Sequence, residues 1–227
     1  MLVCRSCNRR TDRAVYIRWA VAEIEFAIND SESQTLIFDH TFLPVVEKIR
    51  QGGAGIANYV FLDDGGGCPS WAISMENLLG SSKPYLDLTS SDESLAGIFY
   101  TGGTTGLPKG GMLQQAALTS SALCVVAAVD ANSASVTLHA PPMFHLADLL
   151  SCFAYTMLGA KHVKVPMFEP QSVLTCHKQC RVTDLLLVPT MIQLLMDNSA
   201  FREHGFCKVN NLLYRAPQCQ RSSYFGF

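Results

Sequence analysis

One stretch limits what this chain can fold into more than any other. An apolar run, Leu95 to Tyr100, opens directly into Thr101-Gly-Gly-Thr-Thr-Gly-Leu-Pro-Lys-Gly-Gly111. A run this short, cut off by glycines, reads as a buried strand followed by an exposed connection. Glycine lets backbone amides approach a ligand closely, and a row of such amides forms a concavity suited to anions. The hydroxyls of Thr101, Thr104 and Thr105 add donors, and Lys109 adds a positive charge on a flexible stem. Pro108 fixes φ beside that lysine. The chemistry expected is phosphate binding, and the alternative is an ordinary surface turn. A Walker A loop is excluded, because Lys109 is followed by Gly110 and Gly111 rather than by Ser or Thr opening a helix.

Helix and strand patterns alternate around this loop. Helices are expected over 20–28, 42–49 (stopped by Gly52-Gly53), 114–129, 149–158 (ended by Gly159), 171–179 and 190–196. Strands are expected over 35–38, 59–62, 95–100, 136–139, 163–165 and 184–188, with a loop over 79–94. Alternation of this kind predicts an α/β architecture, with sheets flanked by helices.

Composition narrows the function. The chain has 227 residues, 48% hydrophobic and 16% charged, enough to bury a sizeable core. A net charge of -2 argues against a nucleic-acid binder. No apolar run is long enough to span a membrane. Residues 1–14 are arginine-rich with a single acid, Asp12, but show no amphipathic pattern that would make them a transit peptide. The nine cysteines are irregularly spaced and fit reduced thiols in the cytoplasm better than a disulfide scaffold. Cys4 with Cys7, and Cys176-His177 with Cys180, each supply only part of a zinc signature, so no metal ligands are expected.

The segment Ile98-Phe-Tyr-Thr-Gly-Gly-Thr-Thr-Gly-Leu-Pro-Lys-Gly-Gly-Met-Leu113 closely resembles the signature of the AMP-forming acyl-adenylate superfamily. Ala140-Pro-Pro-Met-Phe-His-Leu-Ala147 resembles that family's next motif, an aromatic-His element. Leu185-Leu-Leu-Val-Pro-Thr-Met-Ile-Gln-Leu-Leu-Met196 resembles its strand-Val-Pro-Thr-helix unit. Residues 17–30 and 34–39 resemble the helix and strand that precede the loop. The resemblance leans towards fatty-acyl or aryl CoA ligases. It implies that the chain is part of the large N-terminal domain of an acyl-CoA synthetase-like fold.

The reaction the resemblance implies has two halves. A carboxylate attacks the α-phosphate of ATP, giving acyl-AMP and pyrophosphate, and the thiol of CoA then displaces AMP. The implied cofactors are ATP, Mg²⁺ and CoA, with a carboxylic acid as substrate. Thr101, Gly102, Gly103, Thr104, Thr105, Gly106 and Lys109 match the phosphate-holding residues. Lys109 and His145 match the catalytic positions, with His145 bordering and gating the acyl pocket. A general-base role for His145 is not needed, since the carboxylate nucleophile is already ionised. His145 read without the resemblance is a packed residue, as are Met143 and Phe144.

Departures from the family pattern are as informative. After Tyr214 the family continues with a glycine-rich turn and a Tyr-Gly-x-Thr-Glu motif, whereas this sequence reads Arg215-Ala-Pro-Gln-Cys-Gln. The expected organisation is a divergent segment over 1–15, a partial adenylate-forming domain over 16–214 and a divergent tail over 215–227. The expected function is a fragmentary acid–CoA ligase with little activity alone. The competing reading is a non-catalytic module that binds nucleotide or acyl groups.

Overall fold

A computed structural model describes residues 2–5, 12–14, 19–62, 67–84, 90–101 and 106–214. The chain divides into two compact units, Met1–Leu118 and Thr119–Phe227.

The first unit is built on a seven-stranded mixed sheet. Its strands are β1 (Leu2–Arg5), β2 (Asp12–Ala14), β3 (Thr35–Asp39), β4 (Asn58–Leu62), β5 (Ile73–Ser74), β6 (Leu95–Thr101) and β7 (Lys109–Gln114). They lie in the order β5-β4-β3-β1-β2-β6-β7. The strand order makes β1 and β2 the link between β3 and β6, although no periodicity in residues 1–14 announces strands. Helix α1 (Val21–Asp30) begins where the Glu23 carboxylate accepts the Ala20 amide proton at 2.8 Å. Helix α2 (Leu43–Gln51) carries Pro44 in its first turn and ends at Gly52, before Gly53 at φ +77°. A short helix α3 spans Met75–Ser81.

The core of this unit is aliphatic and aromatic. Ile24 and Ile28 of α1, Val46 and Ile49 of α2, and Leu36, Phe38 and Phe61 of the sheet are buried together. Trp71 stacks on Phe38 with ring centroids 5.7 Å apart, and the Arg50 guanidinium sits 4.9 Å from the Trp71 ring centre.

Helix α4 (Gln115–Ala128) crosses the boundary between the units. The second unit has a four-stranded, fully parallel sheet of β8 (Val136–His139), β9 (Lys161–Lys164), β10 (Asp184–Leu187) and β11 (Asn211–Tyr214). The strand order is β11-β10-β8-β9. Helices α5 (Leu146–Met157), α6 (Pro170–Cys180), α7 (Pro189–Asp197) and α8 (Ser199–His204) connect the strands. All four residues of β10 are buried, as a central parallel strand requires. Leu138, Val173, Leu185, Leu187 and Leu195 form the core.

Expectation and structure differ in two places that bear on the site. Residues 101–111 were expected as one loop after the strand, yet Lys109–Gln114 is a strand paired antiparallel to β6. Lys109-Gly-Gly has no alternation and low β-propensity, so only the ladder with β6 makes it a strand. Residues 79–81, expected as loop, close helix α3, whose cap is the Ser74 hydroxyl accepting the Asn77 amide proton.

Candidate functional site

In the first unit the glycine-rich segment is a hairpin at the sheet edge. Thr101 is paired with Lys109, and the ladder runs on through Tyr100 with Gly110 and Phe99 with Gly111. Gly102, Gly103, Thr104 and Thr105 lie outside the described residues. Thr101, Gly106 and Lys109 are described, and all three are exposed. Gly106 has φ +152°, a backbone setting that L side chains rarely adopt. The threonine hydroxyl and the lysine amine therefore stand on paired positions at the mouth of the hairpin, open to a ligand from solvent.

The base of the hairpin is braced. Tyr100 donates its hydroxyl proton to Asp30 at 2.5 Å and meets Trp19 edge-on, with centroids 6.0 Å apart. Gly110 allows the ladder to close over these side chains. A Cβ there would fall 2.7 Å from Ile98 Cγ2 and 3.0 Å from Tyr100 Cζ. Gly110 is therefore explained by packing, and the phosphate reading does not need it. Sequence reasoning passed over Tyr100 as a brace, because its partner Asp30 is seventy positions away.

In the second unit the strand order creates a switch point. From β8 the chain moves to β9 on one side, then returns to β10 on the other side of β8. At such a reversal the loops leaving the carboxyl ends of the two central strands separate and leave a crevice, the usual ligand position in open α/β sheets. The loop after β8 is Ala140-Pro-Pro-Met-Phe-His145, and after β10 Val188 alone leads into α7 at Pro189-Thr190. Both segments singled out from the sequence thus leave the sheet at its switch point. His145 is exposed at the N-cap of α5, with the Phe144 ring centroid 4.3 Å from its own. Partial desolvation lowers its pKa, which keeps the imidazole neutral near pH 7.

The thiol and imidazole pattern at Cys176, His177 and Cys180 does not gather into a metal site. His177 is buried, and its Nε2 accepts the Cys207 amide proton at 3.0 Å. A different group converges instead: His139, Cys152 and His162, whose ligand atoms lie within 4.8 Å of one another. An apolar cavity of about 130 Å³ between β10, β11, α7 and α8 is lined by Leu187, Ile192, Leu195, Met196, Phe201, Phe206 and Leu212. With no polar side chain to orient a ligand, it is a packing void rather than a site.

Known proteins share this architecture. The family model described as AMP-binding enzyme matches residues 13–218. A long-chain-fatty-acid–CoA ligase of Thermus thermophilus is 30% identical over 208 residues, covering 90% of this chain and 38% of that protein. A feruloyl-CoA synthase of an Amycolatopsis species is 34% identical over 117 residues, covering 51% of this chain and 24% of that protein. Among solved structures, the inhibitor-bound N-terminal domain of FACL13 from Mycobacterium tuberculosis superposes with a TM-score of 0.81 at 23% identity, covering 92% of this chain and 51% of that one. The ATP-bound MatB of Rhodopseudomonas palustris gives 0.72 at 21% identity, covering 88% and 38%. The chain thus spans well under half the length of the Thermus ligase. The likeness to the solved structures shows the fold, that of the N-terminal domain of acyl-CoA synthetases.

Proposed function

Because the chain belongs to the AMP-binding enzyme family, we propose that its edge hairpin grips the β- and γ-phosphates of ATP during activation of a carboxylic acid to an acyl-AMP and then an acyl-CoA. The observation that carries this is the pairing of exposed Thr101 with exposed Lys109 across the mouth of a glycine-rich hairpin. A hydroxyl donor and a cation on one rim neutralise the charge that builds on departing pyrophosphate. The brace from Tyr100 to Asp30 holds that rim, so its donors need little reorganisation when the phosphates arrive.

The crevice at the switch point of the second unit supplies the acyl side of this reading. His145 and Phe144 open helix α5 there and shape the wall against which a carboxylic acid lies. A neutral His145 accepts or donates a hydrogen bond without adding a charge that would compete for the carboxylate. Fatty and aryl acids are the candidate substrates, as the names of the Thermus and Amycolatopsis relatives suggest. Mg²⁺ enters with ATP. On the described hairpin rim Lys109 suits the phosphates, while the Thr101 hydroxyl is an oxygen that would serve either phosphate or Mg²⁺, and no step is assigned through the metal.

The 227 residues by themselves are expected to bind ATP without completing the ligation. Calorimetric titration of the purified protein with ATP should show saturable binding that weakens in Lys109→Ala. Pyrophosphate release assayed across a panel of fatty and aryl acids should stay at background. Absence of ATP binding, or equal binding by Lys109→Ala, overturns the phosphate assignment. Turnover of ATP, acid and CoA by the 227-residue protein overturns the expectation of an incomplete site.

A further inference from the structure

We propose that His139, Cys152 and His162 form a Zn²⁺ site in the second unit, with Asp148 orienting His139 from behind. The donors come from three elements that the fold packs together. His139 ends β8 and His162 lies in β9, two positions before Lys164, the residue paired with His139. The two imidazoles therefore share one face of the sheet. Asp148, Cys152 and Thr156 follow one another at four-residue spacing along α5, so they form one stripe of that helix.

The hydrogen-bond geometry lets this cluster offer its nitrogens to a cation. Asp148 is fully buried, and its Oδ1 lies 3.0 Å from His139 Nδ1, which therefore carries the proton. That leaves a lone pair on His139 Nε2, which faces His162 Nδ1 at 2.8 Å. The rings are 6° from parallel with centroids 5.1 Å apart, so the two nitrogens point straight at each other. A proton on His162 Nδ1 would satisfy them, but it would turn His162 Nε2 into an acceptor facing Thr156 Oγ1 at 3.3 Å. The single Thr156 proton is directed instead to the Cys152 carbonyl, at the shorter distance of 2.7 Å. With that bond made, a ring proton on His162 Nε2 can donate to Thr156, and this tautomer leaves His139 Nε2 and His162 Nδ1 as two ligand lone pairs facing each other at 2.8 Å. Asp148 Oδ2, buried and without a hydrogen-bond partner, is a sign of missing positive charge.

A divalent ion between the two nitrogens takes up both lone pairs and balances the buried Asp148 charge through His139. Two neutral imidazoles and a thiolate are the donor set zinc prefers, with one position left for water. Zinc bond lengths of about 2.0–2.3 Å place tetrahedral donor atoms roughly 3.3–3.7 Å apart, so the two nitrogens need to part by about half an ångström. The carboxylate on the far nitrogen of His139 is the usual partner of a metal-bound imidazole, fixing its tautomer and ring direction. Cys152 and His162 are half-buried, so an ion has a way in.

The test uses the purified 227-residue protein, stripped by chelator and dialysed. Titration with Zn²⁺ followed by calorimetry is expected to give one ion per chain and a rise in melting temperature. Co²⁺ as a spectroscopic probe is expected to give a thiolate charge-transfer band and the intense visible bands of a tetrahedral centre. Cys152→Ser should remove the thiolate band and weaken Zn²⁺ binding at least tenfold. Cys176→Ser and Cys180→Ser should leave both unchanged. Circular dichroism of each variant checks that it folds, and His162→Gln provides a second lesion on a different element. Absence of stoichiometric binding, or binding that survives both Cys152→Ser and His162→Gln, overturns the proposal. So does proton uptake by the His pair with no affinity for Zn²⁺ or Co²⁺.

Discussion

The two units treat polar groups in opposite ways. In the first, the side chains proposed to grip phosphate are displayed: Thr101 and Lys109 sit exposed on an edge hairpin, in a unit whose core is aliphatic and aromatic. Its buried polar residues, among those described, are Ser31 and Ser33, both close to the end of α1. The second unit buries Ser135, Thr137, His139, Asp148, Ser151, His177 and Asp184. Among them His139 pairs with Asp148, and Asp184 with Tyr155, by hydrogen bonds that cross from strand to helix. The lesson is that function displayed on a surface leaves a local signature, whereas a buried polar network is distributed over elements and must be paired to exist at all.

The sharpest way to break this comparison is to cut a buried network. Asp184 is fully buried and accepts hydrogen bonds from Tyr155, Thr183 and Asn211, and burial beside this carboxylate pushes the Tyr155 phenol well above its usual range. Asp184→Ala leaves the buried Tyr155 hydroxyl without its acceptor and takes one acceptor each from Thr183 and Asn211, and should cost about 3 kcal/mol, read as a lower denaturant midpoint. A midpoint within error of the wild type would show that the network is dispensable.

The contrasting lesion is Lys109→Ala on the exposed rim. ATP affinity should fall roughly tenfold or more, as for loss of a charged hydrogen bond. Stability should change by less than about 0.5 kcal/mol, as for other exposed substitutions. A large stability loss with intact ATP binding would reverse the roles given to the two units.

Acidification gives a smaller effect with a defined sign. Burial lowers the pKa of His177, whose Nε2 accepts the Cys207 amide and so must stay unprotonated. The unfolded chain, at about 6.5, takes up its proton first. Stability is therefore full above about pH 6.5 and declines as pH falls through the folded value, by at most about 1.4 kcal/mol per pH unit for one group. His177→Gln should flatten that decline in denaturation curves recorded between pH 7 and 5, and an identical slope in the variant would count against it.

The smallest expected effect lies at Gly110. Gly110→Ala puts a methyl group against Ile98 and Tyr100 and should cost about 1 kcal/mol by crowding, with ATP affinity reduced only through the shifted hairpin. If ATP binding falls tenfold while stability is unchanged, Gly110 belongs to the phosphate grip and not to the packing of its ladder.

Most of the second unit was legible from the sequence. Strand Val136–His139 was found to the residue, and α6 and α7 to within one residue at each end. Clear punctuation explains this: Gly159 at φ +70° after α5, and Pro170 and Pro189 opening α6 and α7. Strands Leu2–Arg5 and Asp12–Ala14 were not legible, since they exist only as partners of β3 and β6. The hairpin was legible as a glycine-rich connection after a strand but not as a strand pair. Its glycines announce freedom of the backbone, and they say nothing about the ladder that uses it.

By itself the sequence determined the α/β alternation and marked out the glycine-rich segment around Lys109 and the aromatic-His segment ending at His145, because each is written in neighbouring residues. Tertiary structure alone decided that the loops after β8 and β10 meet at a switch point, since strand order is set by long-range pairing. It alone brought His139, Asp148, Cys152 and His162 together. Those residues lie as many as twenty-three positions apart, and no local pattern records that a strand end, a helix stripe and a second strand will share one face.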